Sequence, residues 1–464
     1  MTVAYPPIFS GEAFWRPALM PNLLNLLFQV GVVLVAARLI GYLFRWLRQP
    51  QVMGEMVAGI LLGPSLLGWV APELSAELFP PQSLGYLSVL SQFGLLLFMF
   101  LVGLELDPRI FHERTRTALL VSYTSIVTPL LLGATLALFL YPRFSNSDVP
   151  LIQFALFIGT AMSITAFPVL ARILTERKLL RTSLGAIVIT AAAFDDVTGW
   201  LLLAVVVMLV QATATATSLW FTIIGLMVYL LIMFYPARWI LKRLDQYTQR
   251  KGHLTHNVLA LLLLFVLISS WTTERLGLHA LFGAFLAGAV MPKSDLFVHG
   301  LGERLNDLAV VLLLPIFFAF TGLRTKIALV NGIEMWLLTG VIIAVAVLGK
   351  LGGSLLAARW SGMSWREASA IGVLMNTRGL MELVLLNIGL DLGVLSPVLF
   401  TMMVMMALVT TFITAPLLEW VYFSRLIPAT YPVPPIDPAV EAIIPADSPL
   451  SEILADDEDT AKYG

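Results

Sequence analysis

Ser183-Leu-Gly-Ala-Ile-Val-Ile-Thr-Ala-Ala-Ala-Phe-Asp-Asp-Val-Thr-Gly-Trp-Leu-Leu-Leu-Ala-Val-Val-Val-Met-Leu-Val-Gln211 is a long apolar run with two adjacent aspartates sunk into it. A helix needs roughly 20 apolar residues to cross the hydrocarbon of a bilayer, so this stretch reads as a membrane span. Asp195 and Asp196 lie about 12 residues in, or ~18 Å at about 1.5 Å per residue. A charge at that depth costs roughly 2.5–3.5 kcal/mol on insertion scales and needs a reason. Neighbouring helical positions point about 100° apart, so the two carboxylates need not share a partner. A structural salt bridge accounts for one of them and leaves the other for function.

The rest of the chain has the same character. Of its 464 residues, 59% are hydrophobic and 12% charged, where a soluble domain carries about a quarter charged residues. A net charge of −1 gives no electrostatic case for nucleic acid. With no cysteine, disulfides, thiol catalysis and cysteine-held metals are excluded. The histidines are scattered, and His253 and His256 sit together in a basic loop that reads as a solvated face. No charged start with a short apolar run and a cleavage site opens the chain, so the first apolar stretch counts as structure.

Walking the chain with the same ruler gives about thirteen spans: 22–44, 51–70, 85–106, 118–141, 151–174, 183–211, 218–243, 256–275, 278–292, 304–323, 332–359, 366–390 and 394–424. With the N-terminus outside, nineteen Lys and Arg residues fall at inner ends, among them Arg45, Arg177, Arg243, Lys293 and Arg366. Five (Arg16, Arg143, Arg275, Arg324 and Lys326) fall outside. That asymmetry follows the positive-inside rule and sets the N-terminus out and the C-terminus in. Residues 1–21 then form an extracytoplasmic segment, and 22–424 the membrane domain. The remainder, 425–464, is a Pro-rich tail ending in Asp456, Asp457, Glu458 and Asp459, too polar to fold. No nucleotide-binding glycine motif occurs, which leaves no nucleotide or other cofactor to expect.

A repeat is visible inside the domain. Leu95-Leu-Leu-Phe-Met-Phe-Leu-Val-Gly-Leu104 and Leu312-Leu-Leu-Pro-Ile-Phe-Phe-Ala-Phe-Thr-Gly-Leu323 align by their Gly-Leu pairs. They sit in spans three and ten. An odd separation makes the second copy enter from the opposite side, as inverted repeats of transporters do. Spans one to six then pair with eight to thirteen, and interrupted span five pairs with interrupted span twelve. Broken helices related in this way point to a transporter's binding site.

Further charges lie at membrane depth. Lys350, in Val347-Leu-Gly-Lys-Leu-Gly-Gly353, is a counter-ion for one aspartate and a group able to carry a proton itself. Arg378 and Glu382, in Asn376-Thr-Arg-Gly-Leu-Met-Glu382, are four apart on one face and read as a structural ion pair steadying a broken helix. In Gly159-Thr-Ala-Met-Ser-Ile-Thr-Ala-Phe-Pro168 the proline interrupts span five. Freed carbonyls there, with the hydroxyls of Thr160, Ser163 and Thr165, add hard oxygen ligands to the carboxylates. Such a set suits Na⁺ or K⁺, not a transition metal.

Several of these stretches resemble the monovalent cation/proton antiporter superfamily, in its second branch, with the plant-type cation/proton exchangers. They are Ser163-Ile-Thr-Ala-Phe-Pro-Val-Leu-Ala-Arg-Ile-Leu174, Gly283-Ala-Phe-Leu-Ala-Gly288 with Met291-Pro-Lys293, Leu314-Pro-Ile-Phe-Phe318 with Gly322-Leu323, and Asn376-Thr-Arg-Gly-Leu-Met-Glu-Leu383. The resemblance implies an all-α membrane protein of two inverted repeats, with crossed broken helices and separate core and dimerisation domains. It implies a homodimer whose core carries the site across the membrane like an elevator. By position, Asp196 matches the aspartate that binds Na⁺ or another monovalent cation, and Asp195 matches its partner paired to Lys350. Thr160 and Ser163 fall on the crossing, and Arg378 and Glu382 on its second arm. Plant-type exchangers usually have Asn-Asp. The Asp-Asp here is the pattern of the electrogenic bacterial Na⁺/H⁺ antiporters.

The expected function is exchange of Na⁺, with K⁺ and Li⁺ as alternatives, for H⁺, in ion transport and pH homeostasis at the plasma membrane or an internal energy-coupling membrane. Cation and protons compete for Asp195 and Asp196. A gated monovalent cation channel is the rival reading, and a Na⁺-coupled symporter of organic solutes comes third. His-Glu-x-x-His and Gly-x-Ser-x-Gly are absent, so no enzyme is expected.

Overall fold

The computed structural model describes residues 23–47, 49–105, 115–146, 149–177, 179, 182–211 and 216–423. The N-terminal segment 1–21 and the tail 425–464 of the sequence reading lie outside these residues.

Among the described residues every regular element is a helix. In chain order they are α1 (Leu23–Trp46), α2 (Gln51–Leu62), α3 (Leu67–Val70), α4 (Pro72–Leu78), α5 (Pro81–Glu105), α6 (Thr115–Phe144), α7 (Leu151–Ser163), α8 (Phe167–Glu176), α9 (Ser183–Gln211) and α10 (Ala216–Ile232). There follow α11 (Arg238–Lys251), α12 (His256–Arg275), α13 (Ala280–Ala289), α14 (Asp295–Asn306), α15 (Leu314–Arg324), α16 (Ile333–Trp360), α17 (Trp365–Met375), α18 (Leu380–Asp391) and α19 (Pro397–Leu418). Three widened π-helical turns, at Met233–Ala237, Asp307–Leu313 and Glu419–Phe423, continue neighbouring helices, and each lies at or near a proline: Pro236, Pro315 and Pro416. A proline removes one i→i−4 donor, and a wider turn lets the helix carry on past the gap. Where a helix must start cleanly the sequence supplies caps. Ser364 and Glu367 close a capping box at α17, and Ser396 accepts the Leu399 N–H ahead of Pro397 at α19.

Among the described residues ten helices are long and apolar enough to cross a membrane, or eleven when α17 and α18, bent by 41° at their break, count as one span. The protein is a multi-pass integral membrane protein. The expected count of thirteen is not reached by this measure. Expected span five divides into α7 and α8, and expected span nine is the short α13. Neither α7 nor α13 crosses about 30 Å alone at about 1.5 Å per residue. Large apolar side chains along α1, α6, α10 and α12 are exposed, as a lipid-facing surface requires.

The helices gather into two bundles. In the first, α1, α2, α5, α12, α13 and α15 pack on one another; in the second, α6, α7, α9, α16, α17, α18 and α19 do. Glycines set the closest approaches. A Cβ on Gly288 would lie 2.1 Å from the Phe100 carbonyl oxygen, and one on Gly103 2.1 Å from that of Phe285. In the same bundle, a Cβ on Gly59 would lie 2.1 Å from the Ala319 oxygen, and one on Gly322 2.5 Å from that of Met56. The two helix pairs, α5 with α13 and α15 with α2, thus touch in the same register: glycine to a carbonyl, and three residues along, a carbonyl to a glycine. Close backbone contact of this kind is how membrane helices gain packing energy where lipid supplies no hydrophobic drive.

Candidate ion-binding site

The site lies in the second bundle, where two stretches of the chain interrupt their helices and cross. α7 stops at Ser163, Ile164 turns to extended backbone (φ −74°, ψ 139°), and α8 resumes at Phe167. Pro168 then occupies the first turn of α8, where a missing N–H leaves nothing unsatisfied. α17 stops at Met375 and α18 resumes at Leu380. The breaks are joined by a backbone hydrogen bond from the Ala166 N–H to the Thr377 oxygen at 3.1 Å. A Cβ on Gly379 would come within 3.1 Å of Ala166 Cβ and Val169 Cγ2, so the crossing is tight as well as bonded.

Each break frees backbone groups that must find partners away from water. Arg378 supplies several. Its Nη1 donates to the Ala161 oxygen at 3.1 Å and its Nη2 to the Met162 oxygen at 2.8 Å, closing the end of α7 from the opposite strand of the crossing. Nη1 also reaches Glu382 Oε1 at 3.2 Å. Thr411 of α19 accepts from the Arg378 N–H at 3.0 Å and donates to the Arg378 oxygen at 2.8 Å.

Lys350 arrives from α16. Gly349 and Gly353 beside it let that helix press on α6: Cβ atoms there would sit 2.9 Å from Pro129 Cα and 2.8 Å from the Thr124 oxygen. The ammonium, fully buried, donates to Asp195 Oδ2 at 3.0 Å, to the Ser125 oxygen at 3.1 Å and to the Ser163 oxygen.

The two aspartates of α9 have opposite surroundings. Asp195 accepts four donors: Ser122 Oγ on Oδ1 at 2.7 Å, and Ser125 Oγ (2.7 Å), Thr165 Oγ1 (2.6 Å) and Lys350 Nζ (3.0 Å) on Oδ2. Asp196, only 5% exposed, accepts the backbone N–H of Phe167 at the head of α8, and its Oδ1 has no hydrogen-bond partner. Buried polar atoms are nearly always paired, so an orphan carboxylate oxygen at membrane depth stands out. Further buried oxygens without partners include Thr160 Oγ1, Asn376 Oδ1 and Glu382 Oε2.

The structure thus brings Asp195, Lys350 and the Ser163 carbonyl into one cluster, and Arg378 and Glu382 into another at the end of α7. The Ser163 hydroxyl is turned back onto the Thr160 oxygen at 2.8 Å, and the Thr160 hydroxyl bonds neither aspartate. Ser122 and Ser125 were not singled out in the sequence. Their spacing of three in an apolar span, which puts both hydroxyls on one helical face, is the signal that marks them. Among the described residues no three His, Cys, Asp or Glu side chains converge as metal ligands. The available donors are single carboxylate, hydroxyl, amide and carbonyl oxygens, hard ligands of low total charge.

Comparison with known proteins bears on most of the chain. A family profile described as sodium/hydrogen exchanger, transmembrane, matches residues 33–423. The chain is 42% identical over 402 residues to the Na⁺/H⁺ antiporter NhaS4 of Synechocystis, covering 86% of this chain and 98% of that protein. It is 41% identical to cation/H⁺ antiporter 17 of Arabidopsis thaliana (89% of this chain, 50% of that one) and 35% identical to K⁺/H⁺ antiporter 1 of Saccharomyces cerevisiae (85% and 46%). The chain therefore spans about half the length of the plant and yeast relatives. The sodium proton antiporter MjNhaP1 from Methanocaldococcus jannaschii shares the fold, with a TM-score of 0.57 at 14% identity over 86% of this chain and 96% of that one.

Proposed function

The chain belongs to the sodium/hydrogen exchanger family, and on that premise we propose that it is a secondary active antiporter exchanging Na⁺, with K⁺ and Li⁺ as the alternatives, for H⁺ at Asp196. One observation carries the assignment. Both oxygens of Asp195 are engaged, one by Ser122 and the other by Ser125, Thr165 and Lys350, whereas the neighbouring Asp196 keeps an unpartnered oxygen. Thr160 and Asn376 contribute the further unpaired oxygens on the strands of the crossing.

Charge balance gives the coupling. Lys350 offsets Asp195, and Arg378 offsets Glu382. Asp196 is the negative charge left over, and either one proton or one monovalent cation neutralises it. A neutralised site crosses the membrane; a bare one does so poorly, because net charge in hydrocarbon is costly. Proton and cation thereby compete for the same carboxylate, and downhill flow of one drives the other uphill. Electrogenic exchange requires a second proton, and Lys350 is the group positioned to release it when a bound cation draws Asp195 away and leaves the buried ammonium without its counter-charge.

The movement we propose is an elevator-like slide of the second bundle, which holds the site, against the first, which forms a homodimer. The shared glycine register of the pairs α5–α13 and α15–α2 supports descent from inverted repeats. So does the joining of the breaks at 164–166 and 376–379. In this orientation the N-terminus is outside and the C-terminus inside.

The test is proton flux in proteoliposomes with Na⁺, K⁺ and Li⁺ supplied in turn. Asp196→Asn should abolish cation-driven proton movement, and full exchange in that variant would sink the assignment. Currents far beyond transporter turnover, uncoupled from protons, would favour the channel instead.

A further inference from the structure

Along their height the two bundles are tied by a charged link at one end. Arg324, the last residue of α15, donates from Nη1 to Asn387 Oδ1 at 3.0 Å and from Nη2 to Asp391 Oδ1 at 2.5 Å. Asn387 also donates to Thr321 Oγ1 at 2.9 Å, and the Lys326 N–H donates to Thr401 Oγ1 at 3.3 Å. Thr321, Arg324 and Lys326 belong to the first bundle; Asn387, Asp391 and Thr401 belong to the second. At the opposite end Gln49 donates to the Phe412 oxygen at 3.2 Å, a neutral contact. In the proposed orientation the charged link is at the outer end.

Two features make this more than a surface ion pair. Its base is rigid: Gly322 and Gly59 seat α15 on α2 with no room for a methyl group. Its other half is α18, the arm of the crossing that begins beside Arg378 and carries Glu382. Arg324 therefore grips the site-bearing arm directly. The forked guanidinium suits two acceptors at once, which fixes the arm's height as well as its proximity. The pair is also releasable, since the side chains of Arg324 and Asp391 are 23% and 48% exposed and water screens them.

We infer that Arg324 is an outer latch whose grip on Asn387 and Asp391 holds the second bundle in the position seen here, closed to the outside, and is released in every transport cycle. The inference rests on the alternating-access reading above. Because the chain has no cysteine of its own, Arg324→Cys/Asp391→Cys supplies two unique thiols, one at a partly exposed and one at an exposed position. A short bifunctional methanethiosulfonate should join them in proteoliposomes, cut cation-driven proton flux at least tenfold, and give the flux back on reduction. With the thiols free, the latch is absent. The half-saturating cation concentration should then fall two- to fivefold on the outer side and rise on the inner side, because the outward-open population grows. Undiminished exchange with the bridge in place, or unchanged sidedness with the thiols free, would overturn the latch. Absence of exchange in the unmodified chain would instead overturn the antiporter reading.

Discussion

The backbone N–H of Ala166 donates to the backbone oxygen of Thr377 at 3.1 Å, and through that bond the two interrupted strands are held as one unit. Sequence distance between them exceeds 200 residues, so the contact is a product of the whole fold. It brings the Phe167 N–H to Asp196 and Thr165 to Asp195, while the residue after Thr377 closes the end of α7. The site is therefore built from backbone irregularity as much as from side chains, and its behaviour under substitution follows from who satisfies whom.

Removing Lys350 should be more harmful than removing the pair. Lys350→Met leaves the Asp195 carboxylate buried without its counter-charge, a loss of about 3–5 kcal/mol. Adding Asp195→Asn should recover much of that. Thermal unfolding of the purified single and double variants in detergent checks the order, and equal melting temperatures would contradict it.

The serines of α6 should matter through the aspartate they serve. Ser122→Ala and Ser125→Ala each delete a hydroxyl donor to a charged acceptor, at about 1.5–3 kcal/mol each. In an Asp195→Asn background the same changes should cost markedly less. A double-mutant cycle on unfolding temperature measures the coupling, and additive losses would show that the serines act elsewhere.

Glycine substitutions should separate close approach from mere flexibility. Gly288→Ala puts a methyl 2.1 Å from the Phe100 oxygen and should destabilise by about 1–3 kcal/mol through enforced separation of α13 from α5. Gly352→Ala, on a face of α16 with nothing within 4 Å, should be neutral or stabilising by up to about 1 kcal/mol. Melting temperatures of the two variants, measured side by side, decide it.

Acid should weaken the turn before α13. His279 has a positive φ of 68° and its Nδ1 accepts the Leu281 N–H at 3.4 Å, which requires a neutral ring. Burial holds its pKa below the ordinary 6.5, against the opposing pull of Glu274 and Asp391. The unfolded chain thus binds more protons than the folded one just below pH 6.5, so stability drops as pH falls through that value. His279→Asn tolerates the positive φ and removes the titration. Its melting temperature should depend less on pH between 7 and 5 than that of the unaltered protein; parallel curves would exclude the histidine.

Much of the site was legible because lipid makes a buried charge conspicuous. Asp195, Asp196, Lys350, Arg378 and Glu382 stand out in one dimension as ionisable groups inside apolar runs, and the interruptions at Pro168 and around Asn376 stand out for the same reason. The hydroxyls were not equally legible. Serine and threonine are common in membrane helices, where they satisfy their own helix, as Thr135 does by donating to the Leu131 oxygen. All that distinguishes Ser122 from Thr135 locally is a second serine three residues on, Ser125. The span count suffered differently: expected spans five and nine are apolar, but one is interrupted and the other short in the sequence itself, and the helices they form, α7 and α13, are shorter still.

Sequence by itself determined that this chain lives in a membrane as helices and that charges at residues 195, 196, 350, 378 and 382 sit inside them, because the hydrocarbon admits only apolar faces and internally bonded backbone. The resemblance implied that Asp195 pairs with Lys350 and Asp196 does not, but the physical cause of that difference lies in the tertiary structure. Asp195 and Asp196 are chemically identical neighbours. A turn of 100° sends one toward Ser122, Ser125 and Lys350 and the other toward the head of α8, and that difference exists only once helices far apart in the chain have packed together.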